Sequence, residues 1–393
     1  MGTIDSNCPG VSGALYWSRD GGASWQQRCN QAFFYNGTEY FPGGESSVGH
    51  DNQGMAYALG SYGNLDDDNP EGFLAVQKSS DGGNTWTLPV PALGHRSANT
   101  PSAQIAIDTS TRSPHVNAVY VAAVLASPRN NPRNNLVMVS HSYDGGTTWT
   151  QVPVTPLEKY PEEDAYINLA VSPDGSVYVT WVYCDTPAHF CADNKAHIVL
   201  SKSTDGGNTW TKAKQVVTTT IGTLQDYLFL PPTPLITVDN STGPYSGTVY
   251  IAMCSDARGT LRLGMIHSRD GGETWSKPVS VAPAVDTHDQ FLPWLSVSPT
   301  GLVGMSWMDR RNDPNNLLYQ PFAAFSSDGG QSFGENILLS EGFSDPSRGG
   351  EGSGWIGDYT GNTWAGPNYF VAAWMDNSQT PNMEDVVGGI RLK

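Results

Sequence analysis

Positive charge is scarce in this sequence, which has 21 lysines and arginines against 38 aspartates and glutamates. The resulting net charge of −17 argues against nucleic acid as a partner, because phosphates attract basic faces. The same balance disfavours an anionic membrane surface. No apolar run reaches the length of about eighteen residues that a membrane-spanning helix needs. The sequence therefore predicts neither a nucleic-acid partner nor a membrane partner.

Helical periodicity is also missing, since apolar residues do not recur every three or four positions over any long stretch. Neither a charge run nor a Ser/Pro-rich linker divides the chain. Glycine (43 residues) and proline (27 residues) are abundant, whereas charged residues make up only 15%. This composition is typical of an all-β protein with many turns. We predict one β domain over residues 1–393, and a monomer.

Cysteine is sparse too, with five in the chain. The spacing allows two disulfides that each close a hairpin or a loop, Cys8–Cys29 and Cys184–Cys191. Cys254 lies in an apolar segment and is expected to be a buried free thiol. None of the spacings is a zinc pattern. Disulfides of this kind favour an export compartment.

Two further features are compatible with secretion. The sequons Asn36-Gly37-Thr38 and Asn240-Ser241-Thr242 are acceptors for N-glycosylation in exported proteins. The first residues, MGTIDSNC, do not form a signal peptide, so a secreted form has had its signal removed. We predict a secreted or extracellular protein.

One motif is written six times along the chain. The copies read S-x-D-G-G-x-[ST]-[WF], and their aspartates are 58 to 65 residues apart. The six copies are SRDGGASW (18–25), SSDGGNTW (79–86), SYDGGTTW (142–149), STDGGNTW (203–210), SRDGGETW (268–275) and SSDGGQSF (326–333). A repeat of this length indicates one supersecondary unit per period.

The chemistry of the motif is that of a turn. The Asp carboxylate accepts N–H bonds from the residues that follow, and the paired glycines permit a positive φ. The Ser hydroxyl adds a local bond, and the Trp or Phe begins the next strand as an apolar anchor. We therefore interpret these aspartates as structural and do not nominate them as catalysts.

Between the motifs, four short strands recur in the same order, with the motif joining the third strand to the fourth. Four strands per period of about sixty residues form one blade of a β-propeller. We predict a six-bladed propeller with complete blades at 45–90, 100–155, 164–218, 230–281 and 291–340. The last blade is expected to combine C-terminal strands near 354–359, 368–375 and 386–392 with N-terminal strands from 13–29. The termini supply one strand too many, and either end could hold the spare one.

The motif and the blade order resemble the sialidase (neuraminidase) superfamily, whose repeat is the Asp-box or BNR repeat. More narrowly, DQFLPWLSVSPTGLVGMSWMDRRNDP (289–314) and GWIGDYTGNTW (354–364) look like secreted bacterial-type proteins called sialidase-like. The resemblance covers essentially the whole chain and is specific for the fold. Hydrolases, lyases and binding proteins share this architecture, so the function has to be argued from the site.

The topology of a propeller indicates where that site lies. The loops that precede the first strands and those that join second to third strands share one face, whereas the Asp-boxes fall on the other. We predict catalytic candidates among the carboxylates and one tyrosine of the first face: Asp66, Asp67, Asp68, Asp164, Asp226, Asp289 and Tyr359. The substrate-binding candidates are Arg258, Arg310, Arg311, Tyr166, Tyr227 and Trp355. The alternative for each residue is a place in a solvated polar rim.

The resemblance implies roles for some of these positions. Family members carry an acid/base Asp in the loop that contains Asp66, Asp67 and Asp68, and two of their three arginines match Arg258 and Arg310 or Arg311. Three matches fail. Gly44 and Glu45 stand where the first carboxylate-binding Arg is expected, Pro232 stands near the Glu position with Asp226 as its nearest acid, and Trp355 stands near the nucleophilic Tyr. An acid in place of an Arg repels the sialic acid carboxylate, so an ordinary exo-sialidase is disfavoured.

Three functions remain open. A glycoside hydrolase on a different glycan needs two carboxylates that flank a sugar bond, and aromatic rings such as Tyr166 and Tyr227 to stack on the sugar. A polysaccharide lyase needs a His or Tyr base and an Arg that neutralises a uronate, for which the candidates are His50, His189, His288 and Arg310. A non-catalytic glycan- or protein-binding propeller needs neither. We favour the hydrolase, with a glycan or polysaccharide as its partner.

No cofactor or metal is predicted. The densest acidic cluster is Asp66-Asp67-Asp68-Asn69, and Ca²⁺ takes six to eight oxygen ligands, so a calcium ion there is an alternative. The sequence lacks the D-x-[DN]-x-[DN]-G loop that would favour it.

Overall fold

A computed structural model describes most of the chain. The described residues are 2–4, 8, 13–20, 22, 24–66, 71–95, 103–126, 135–156, 163–185, 191–224, 233–257, 259–282, 287–348, 356–357, 360–379 and 384–392. They form 27 β-strands and one short 3-10 helix, Pro346–Arg348. No helix among them is long and apolar enough to cross a bilayer.

The strands are short, rich in Val, Ala, Tyr and Trp, and arranged as consecutive antiparallel sheets. The first sheets are β1 (Gly2–Ile4), β2 (Gly13–Trp17) and β3 (Gln26–Cys29), then β4 (Phe33–Tyr35), β5 (Thr38–His50), β6 (Ala56–Gly63), β7 (Gly72–Ser79) and β8 (Val90–His95). Next come β9 (Ala103–Ile107), β10 (Val119–Ala126), β11 (Asn135–Ser142) and β12 (Thr150–Pro153), then β13 (Glu163–Val171), β14 (Val177–Cys184), β15 (Lys195–Ser203) and β16 (Lys214–Thr220). The last are β17 (Leu235–Val238), β18 (Val249–Asp256), β19 (Leu261–Ser268) and β20 (Val279–Ser280), β21 (Gln290–Val297), β22 (Val303–Asp309), β23 (Gln320–Ser326) and β24 (Ile337–Leu338), and β25 (Gly361–Trp364), β26 (Tyr369–Asp376) and β27 (Glu384–Arg391).

The chain divides into two compact units. The first contains residues 1–192 and 199–215, and the second contains residues 193–198 and 216–393. Within the first unit, β5 packs against β9, and β9 packs against β13. Within the second, β17 packs against β21, and β21 packs against β25. Successive blades of a propeller meet through their first strands, as these sheets do. The predicted all-β propeller class is therefore confirmed.

The hydrophobic core lies between neighbouring sheets. Leu59, Leu74 and Leu93 of one sheet, for example, join Val119 and Val121 of the next in a single buried cluster. Equivalent clusters fill the spaces between the following sheets of each unit. A sheet here is buried on both faces, which explains why the second strands read as near-continuous apolar runs.

The observed sheets match the five predicted complete blades to within a few residues, with one difference. The sheet predicted at 45–90 begins with an additional short strand, β4, which pairs with β5 through Phe33↔Tyr40 and Tyr35↔Thr38. For the last blade, the strand expected near 354–359 falls largely outside the described residues, and a strand is present at Gly361–Trp364. The prediction of one domain with a last blade shared by both termini stays a prediction.

Each Asp-box is a turn closed by its own side chains. In the fifth copy, Asp270 Oδ1 accepts the backbone N–H of Thr274 at 2.9 Å and the Ser268 hydroxyl at 2.8 Å. The Ser268 oxygen accepts the Gly272 N–H, and the Trp275 indole N–H donates to the Gly272 carbonyl. Gly272 has a φ of 91°, which only glycine adopts without strain. The same bonds from the following Ser or Thr reach Asp20, Asp81, Asp144, Asp205 and Asp328.

Neighbouring boxes of the first unit also bond to one another. Arg19 Nε donates to the Gly82 carbonyl at 3.3 Å, and Tyr143 Oη donates to the Gly206 carbonyl at 2.8 Å. Lys78 Nζ donates to the Gly145 carbonyl at 2.8 Å. In this unit the boxes therefore lie side by side at one end of the sheets.

Both predicted disulfides are present. Cys8 pairs with Cys29 and Cys184 pairs with Cys191. Cys254 of β18 is a free thiol. The residue as a whole is partly exposed, but its sulfur is buried, and this burial raises the pKa of the thiol to about 12. Its Sγ lies 3.9 Å from the Gln290 carbonyl oxygen. It is therefore protonated and unreactive at neutral pH.

The Asp-box bonds predict an acid-sensitive contribution to stability. Hydrogen bonds from the side chain and backbone of Thr274 lower the pKa of Asp270 to about 2. A carboxyl whose folded pKa is depressed stabilises the fold above its unfolded pKa of about 4 and loses that contribution as the pH falls toward 2. Asp270→Ala should lower the melting temperature at pH 7, because the variant loses hydrogen bonds that each contribute about 1 kcal/mol. The deficit relative to wild type should shrink in thermal scans between pH 4 and pH 2. A deficit that stays constant over this range would contradict the assignment.

The single-domain prediction has its own test. If the N-terminal strands complete the last blade, deletion of residues 1–30 should abolish cooperative thermal unfolding of the whole chain. A deletion of the C-terminal residues 384–393 should have a comparable effect, because β27 pairs with β26 along its length. An unchanged melting transition after the N-terminal deletion would show that the remaining strands close the fold alone.

Candidate functional site

The antiparallel order of each sheet separates two sets of loops. Each Asp-box from the second copy on joins a third strand to a fourth, as between β7 and β8 or between β23 and β24. The loops that precede first strands and those between second and third strands must then lie at the other end of the same sheet. The described catalytic and substrate-binding candidates lie in or next to these loops, so we call this end the loop end.

Three first strands are irregular at the loop end. In β13, Tyr166 and Ile167 together oppose a single residue of β14, because Ala165 pairs with Val182 and Asn168 pairs with Thr180. In β21, two residues between Phe291 and Trp294 oppose one residue of β22. In β5, the register shifts between Pro42 and Ser46. Bulges of this kind re-aim side chains and are over-represented next to active sites.

The bulges carry backbone strain. Tyr166 has a φ of 53° and Leu292 has a φ of 46°, although neither is glycine. Such conformations cost roughly 1–3 kcal/mol each and persist where the surrounding structure enforces them. The enforcing partner is a buried tryptophan, because Trp181 lies opposite the bulge of β13 and Trp307 lies opposite the bulge of β21.

A buried carboxylate stands beside the strained tyrosine. Asp164 is 3% exposed, and its Oδ1 accepts the Trp181 indole N–H at 2.6 Å. Its backbone N–H donates to Asn135 Oδ1 at 2.9 Å, which anchors the start of β13 to the start of β11. Tyr166, two residues on, is half-buried. The structure thus holds one catalytic candidate and one substrate-binding candidate on the same short bulged segment.

Asp66 occupies a different setting in the same compact unit. It is exposed and lies just beyond β6, in the loop between the second and third strands of its sheet. The base of this loop is closed by two bonds between Asn64 and Glu71, of 2.9 and 3.0 Å. Tyr40 donates its hydroxyl to Glu71 Oε2 at 3.4 Å, and burial raises the pKa of this tyrosine. The loop base is therefore fixed while Asp66 faces solvent.

In the second unit, Asp289 and Arg310 form a buried ion pair. Arg310 is fully buried, and its Nη1 lies 3.5 Å from Asp289 Oδ2 and donates to the Asn316 carbonyl at 2.9 Å. Asp289 Oδ2 also accepts from Asn316 Nδ2, and Oδ1 accepts the backbone N–H of Leu261 at 2.9 Å. The network joins the loops around β19, β21 and β22.

Arg311 is also bonded within the protein. Its guanidinium pairs with Asp309, donates to Asn336 Oδ1 at 3.0 Å and lies over the Phe322 ring. Asp309 accepts the Trp307 indole N–H at 2.7 Å as well. The two adjacent arginines thus point to different carboxylates. Their role in substrate binding stays a prediction, and both have a structural partner here.

The sequence interpretation missed a repeated Trp-Met-Asp signal. In Trp307-Met308-Asp309 and in Trp374-Met375-Asp376 the indole N–H donates to the carboxylate two residues later. Each carboxylate then accepts a backbone N–H from the turn that follows, that of Arg311 or of Ser378. The second strand and its turn are therefore held together by one side-chain pair, which a search for the repeated W-M-D triplet would have found.

Several candidates lie outside the described residues: Asp67, Asp68, Asp226, Tyr227, Arg258, Trp355, Tyr359 and His189. The alternative calcium cluster falls largely on the same undescribed stretch, at 67–69. In the part of the chain that the structure describes, no group of three His, Cys, Asp or Glu side chains could hold a metal ion. The lyase candidate His288 is described, and its carbonyl accepts from Arg262 Nη1 at 3.3 Å. The lyase candidate His50 was expected at the loop end, but it is the last residue of β5 and pairs with Ala56, so it lies at the Asp-box end.

Comparisons with known proteins agree with the fold. The BNR/Asp-box repeat family matches residues 266–277, which contain the fifth box. An α-L-arabinanase of Penicillium chrysogenum, solved with arabinobiose, is 13% identical, with a TM-score of 0.51 over 88% of this chain and 92% of its own. The α-L-arabinofuranosidase Arb93A of Fusarium graminearum is 16% identical, with a TM-score of 0.50 over 81% and 86%. The NanB sialidase of Streptococcus pneumoniae is 13% identical, with a TM-score of 0.48 over 79% and 61%. At the level of sequence, no curated protein matches.

The buried ion pair of the second unit yields a stability prediction. Arg310→Ala leaves Asp289 buried without its cationic partner and should lower the free energy of unfolding by about 3–5 kcal/mol. Arg348→Ala is the matched control, since Arg348 pairs with Asp345 at the surface and should change stability by about 0–1 kcal/mol. Urea titrations measure both. Equal, small effects would show that Arg310 is not needed for the fold.

Proposed function

We propose that this chain, a sialidase-like Asp-box β-propeller protein, is a secreted glycoside hydrolase whose site lies at the loop end of the first compact unit. One observation carries the proposal. Tyr166 is held at a φ of 53° in the bulge of β13, two residues after the buried Asp164. Strain of this kind is retained where it positions a side chain for function.

Hydrolysis of a glycosidic bond needs two carboxyl groups on opposite sides of it. We assign the acid/base role to Asp66, on its loop at the end of β6, and the role of nucleophile or base to Asp164. Asp66 protonates the leaving sugar oxygen as the glycosidic bond breaks. Asp164 either deprotonates the water molecule that attacks the anomeric carbon, or attacks that carbon itself; in the second case a water molecule deprotonated by Asp66 then breaks the glycosyl–Asp164 bond and releases the sugar. Trp181 donates an N–H to Asp164 Oδ1 and thereby orients the carboxylate.

Tyr166 has a part that differs from both carboxylates. Its ring is half-buried, so one side packs against the protein and another can contact a ligand. A flat aromatic face binds the apolar face of a sugar ring, and the fixed backbone orients that face without an entropic cost on binding. We propose Tyr166 as the platform on which the sugar beside Asp164 stacks.

The substrate differs from that of an ordinary exo-sialidase. A sialidase clamps the carboxylate of its sugar with three arginines through bidentate bonds. Here Gly44 and Glu45 occupy the first Arg position, within the irregular segment of β5. Arg310 and Arg311, the candidates for the third, are already bonded to Asp289 and Asp309. The absence of an arginine at that first position, in the first unit, supports a substrate that lacks a carboxylate at the reacting sugar.

The remaining properties follow from the same proposal. Two disulfides suit an oxidising compartment, where extracellular glycans are degraded. The partner is a glycan or polysaccharide, and the protein acts as a monomer.

The carboxylate assignment is tested by two isosteric variants. Asp66→Asn and Asp164→Asn should each lower the rate of reducing-end release by about 10²–10⁴-fold, because an amide neither donates a proton as an acid nor attacks. The assay is run on a panel of neutral and anionic polysaccharides, with melting temperatures recorded for each variant. Glu335→Gln, an exposed carboxylate beyond the sixth Asp-box, is the control and should keep full activity.

Two outcomes would contradict the proposal. Full activity in folded Asp66→Asn and Asp164→Asn would remove both residues from the site. Products that absorb as unsaturated uronates would instead identify a lyase.

A further inference from the structure

We infer that the β4–β5 hairpin is a binding platform for an uncharged polysaccharide, so that the substrate of the proposed hydrolase is a neutral glycan chain. The inference rests on the proposed function for the identity of the site and extends it to the class of substrate. It depends on three features of residues 29–77: a rigid hairpin, exposed apolar side chains on it and on the Asp66 loop, and the absence of lysine and arginine.

The hairpin is rigid and attached to the loop of Asp66. Its turn is Asn36-Gly37 with φ values of 49° and 86°, as in the type I′ turns that match the twist of paired strands. Phe33 is buried and packs against the rings of Tyr40 and Tyr62. Tyr40 bonds to Glu71 at the base of the Asp66 loop. The hairpin and the loop therefore form one preorganised surface.

Apolar side chains are exposed on this surface, although the neighbouring Phe33 is buried in the core. Phe34 is 71% exposed, Leu65 is 78% exposed and Tyr35 is 41% exposed. The Tyr35 ring contacts the edge of Phe73 at 5.0 Å, which holds it in place while part of it stays in water. Successive side chains of a strand point to opposite faces, so that in β4 Phe33 points into the core and Phe34 points into solvent. Exposed aromatic rings on a hairpin that is bonded to the base of the Asp66 loop offer a sugar chain a stacking surface.

The charge of the region selects the kind of sugar. Between Arg28 and Lys78 the sequence has no lysine or arginine. Of its seven acidic residues, Asp51 lies in the β5–β6 turn at the Asp-box end, and the other six are Glu39, Glu45, Asp66, Asp67, Asp68 and Glu71. Glu39 pairs directly with Phe34 across the hairpin. The two flanking cations bond away from this end, since Arg28 donates to the Trp86 carbonyl and Lys78 donates to the Gly145 carbonyl, both in Asp-boxes. A uronate or sialate chain would meet like charge here without a counterion, whereas a neutral chain would not.

Binding without turnover tests the inference separately from the proposed hydrolysis. The protein is produced without N-glycans, because Asn36 of the hairpin turn lies in a sequon, and is run in affinity gels that contain soluble polysaccharides at graded concentrations. The neutral probes are linear arabinan, xylan, galactomannan and mixed-linkage β-glucan, and the anionic probes are polygalacturonate and polysialic acid. At least one neutral polymer should retard the protein, and neither anionic polymer should.

Phe34→Ala supplies the residue-level test. Because Phe34 is exposed, the variant should fold normally, and the dissociation constant for the neutral polymer should rise about tenfold, as expected for one lost stacking contact. Phe343→Ala, which removes an exposed phenylalanine from the second unit, should leave binding unchanged. The inference is overturned if no neutral polymer binds, if an anionic polymer binds more tightly, or if Phe34→Ala binds like wild type. If the protein binds a neutral polymer but hydrolyses none, the result supports the binding platform and refutes only the proposed hydrolase function.

Discussion

Each Asp-box carboxylate accepts hydrogen bonds from the backbone and the side chain of the residue four positions later. These bonds set the geometry of every sheet in which they occur. They fix the point where a third strand ends, turn the chain through two glycines and return it as a fourth strand anchored by an aromatic ring. Because the turn is closed by its own residues, it has little need of neighbouring loops. The opposite ends of the same sheets are thereby free to vary in length and sequence, as functional loops on a fixed scaffold do.

At those free ends the same strands depart from regular pairing. The bulge of β13 places Tyr166 in a strained conformation opposite Trp181, and Trp181 in turn bonds to Asp164. One buried indole therefore supports the strain and orients the carboxylate. Opposite the bulge of β21, the indole of Trp307 in β22 bonds instead to Asp309 of its own strand, and Asp309 pairs with Arg311. A buried indole thus bonds to a candidate catalytic carboxylate in one compact unit and to a carboxylate of an internal ion pair in the other.

Much of the fold could be predicted because its signals are local. The Asp-box repeat gave the period and the turn chemistry, and cysteine spacing predicted both disulfides. The site was less accessible. A positive φ at Tyr166 has no signature in the residue itself, since tyrosine ordinarily avoids it. Whether Arg310 faces a ligand or Asp289 depends on residues 21 positions apart that meet only in the folded chain. The β4 strand was missed although Asn36-Gly37 is a hairpin signal, because a three-residue strand gives too little alternation to detect.

The central claim is that the loop end of the first unit binds glycan while the Asp-boxes serve as scaffold. Hydrogen–deuterium exchange with and without oligosaccharides, prepared from a neutral polysaccharide that binds the protein, tests it most directly. The account predicts slower exchange on binding in residues 33–40, 64–66 and 163–168, with exchange in the boxes at 79–86 and 142–149 unchanged. Protection centred on the boxes, with the loop-end segments unaffected, would contradict it.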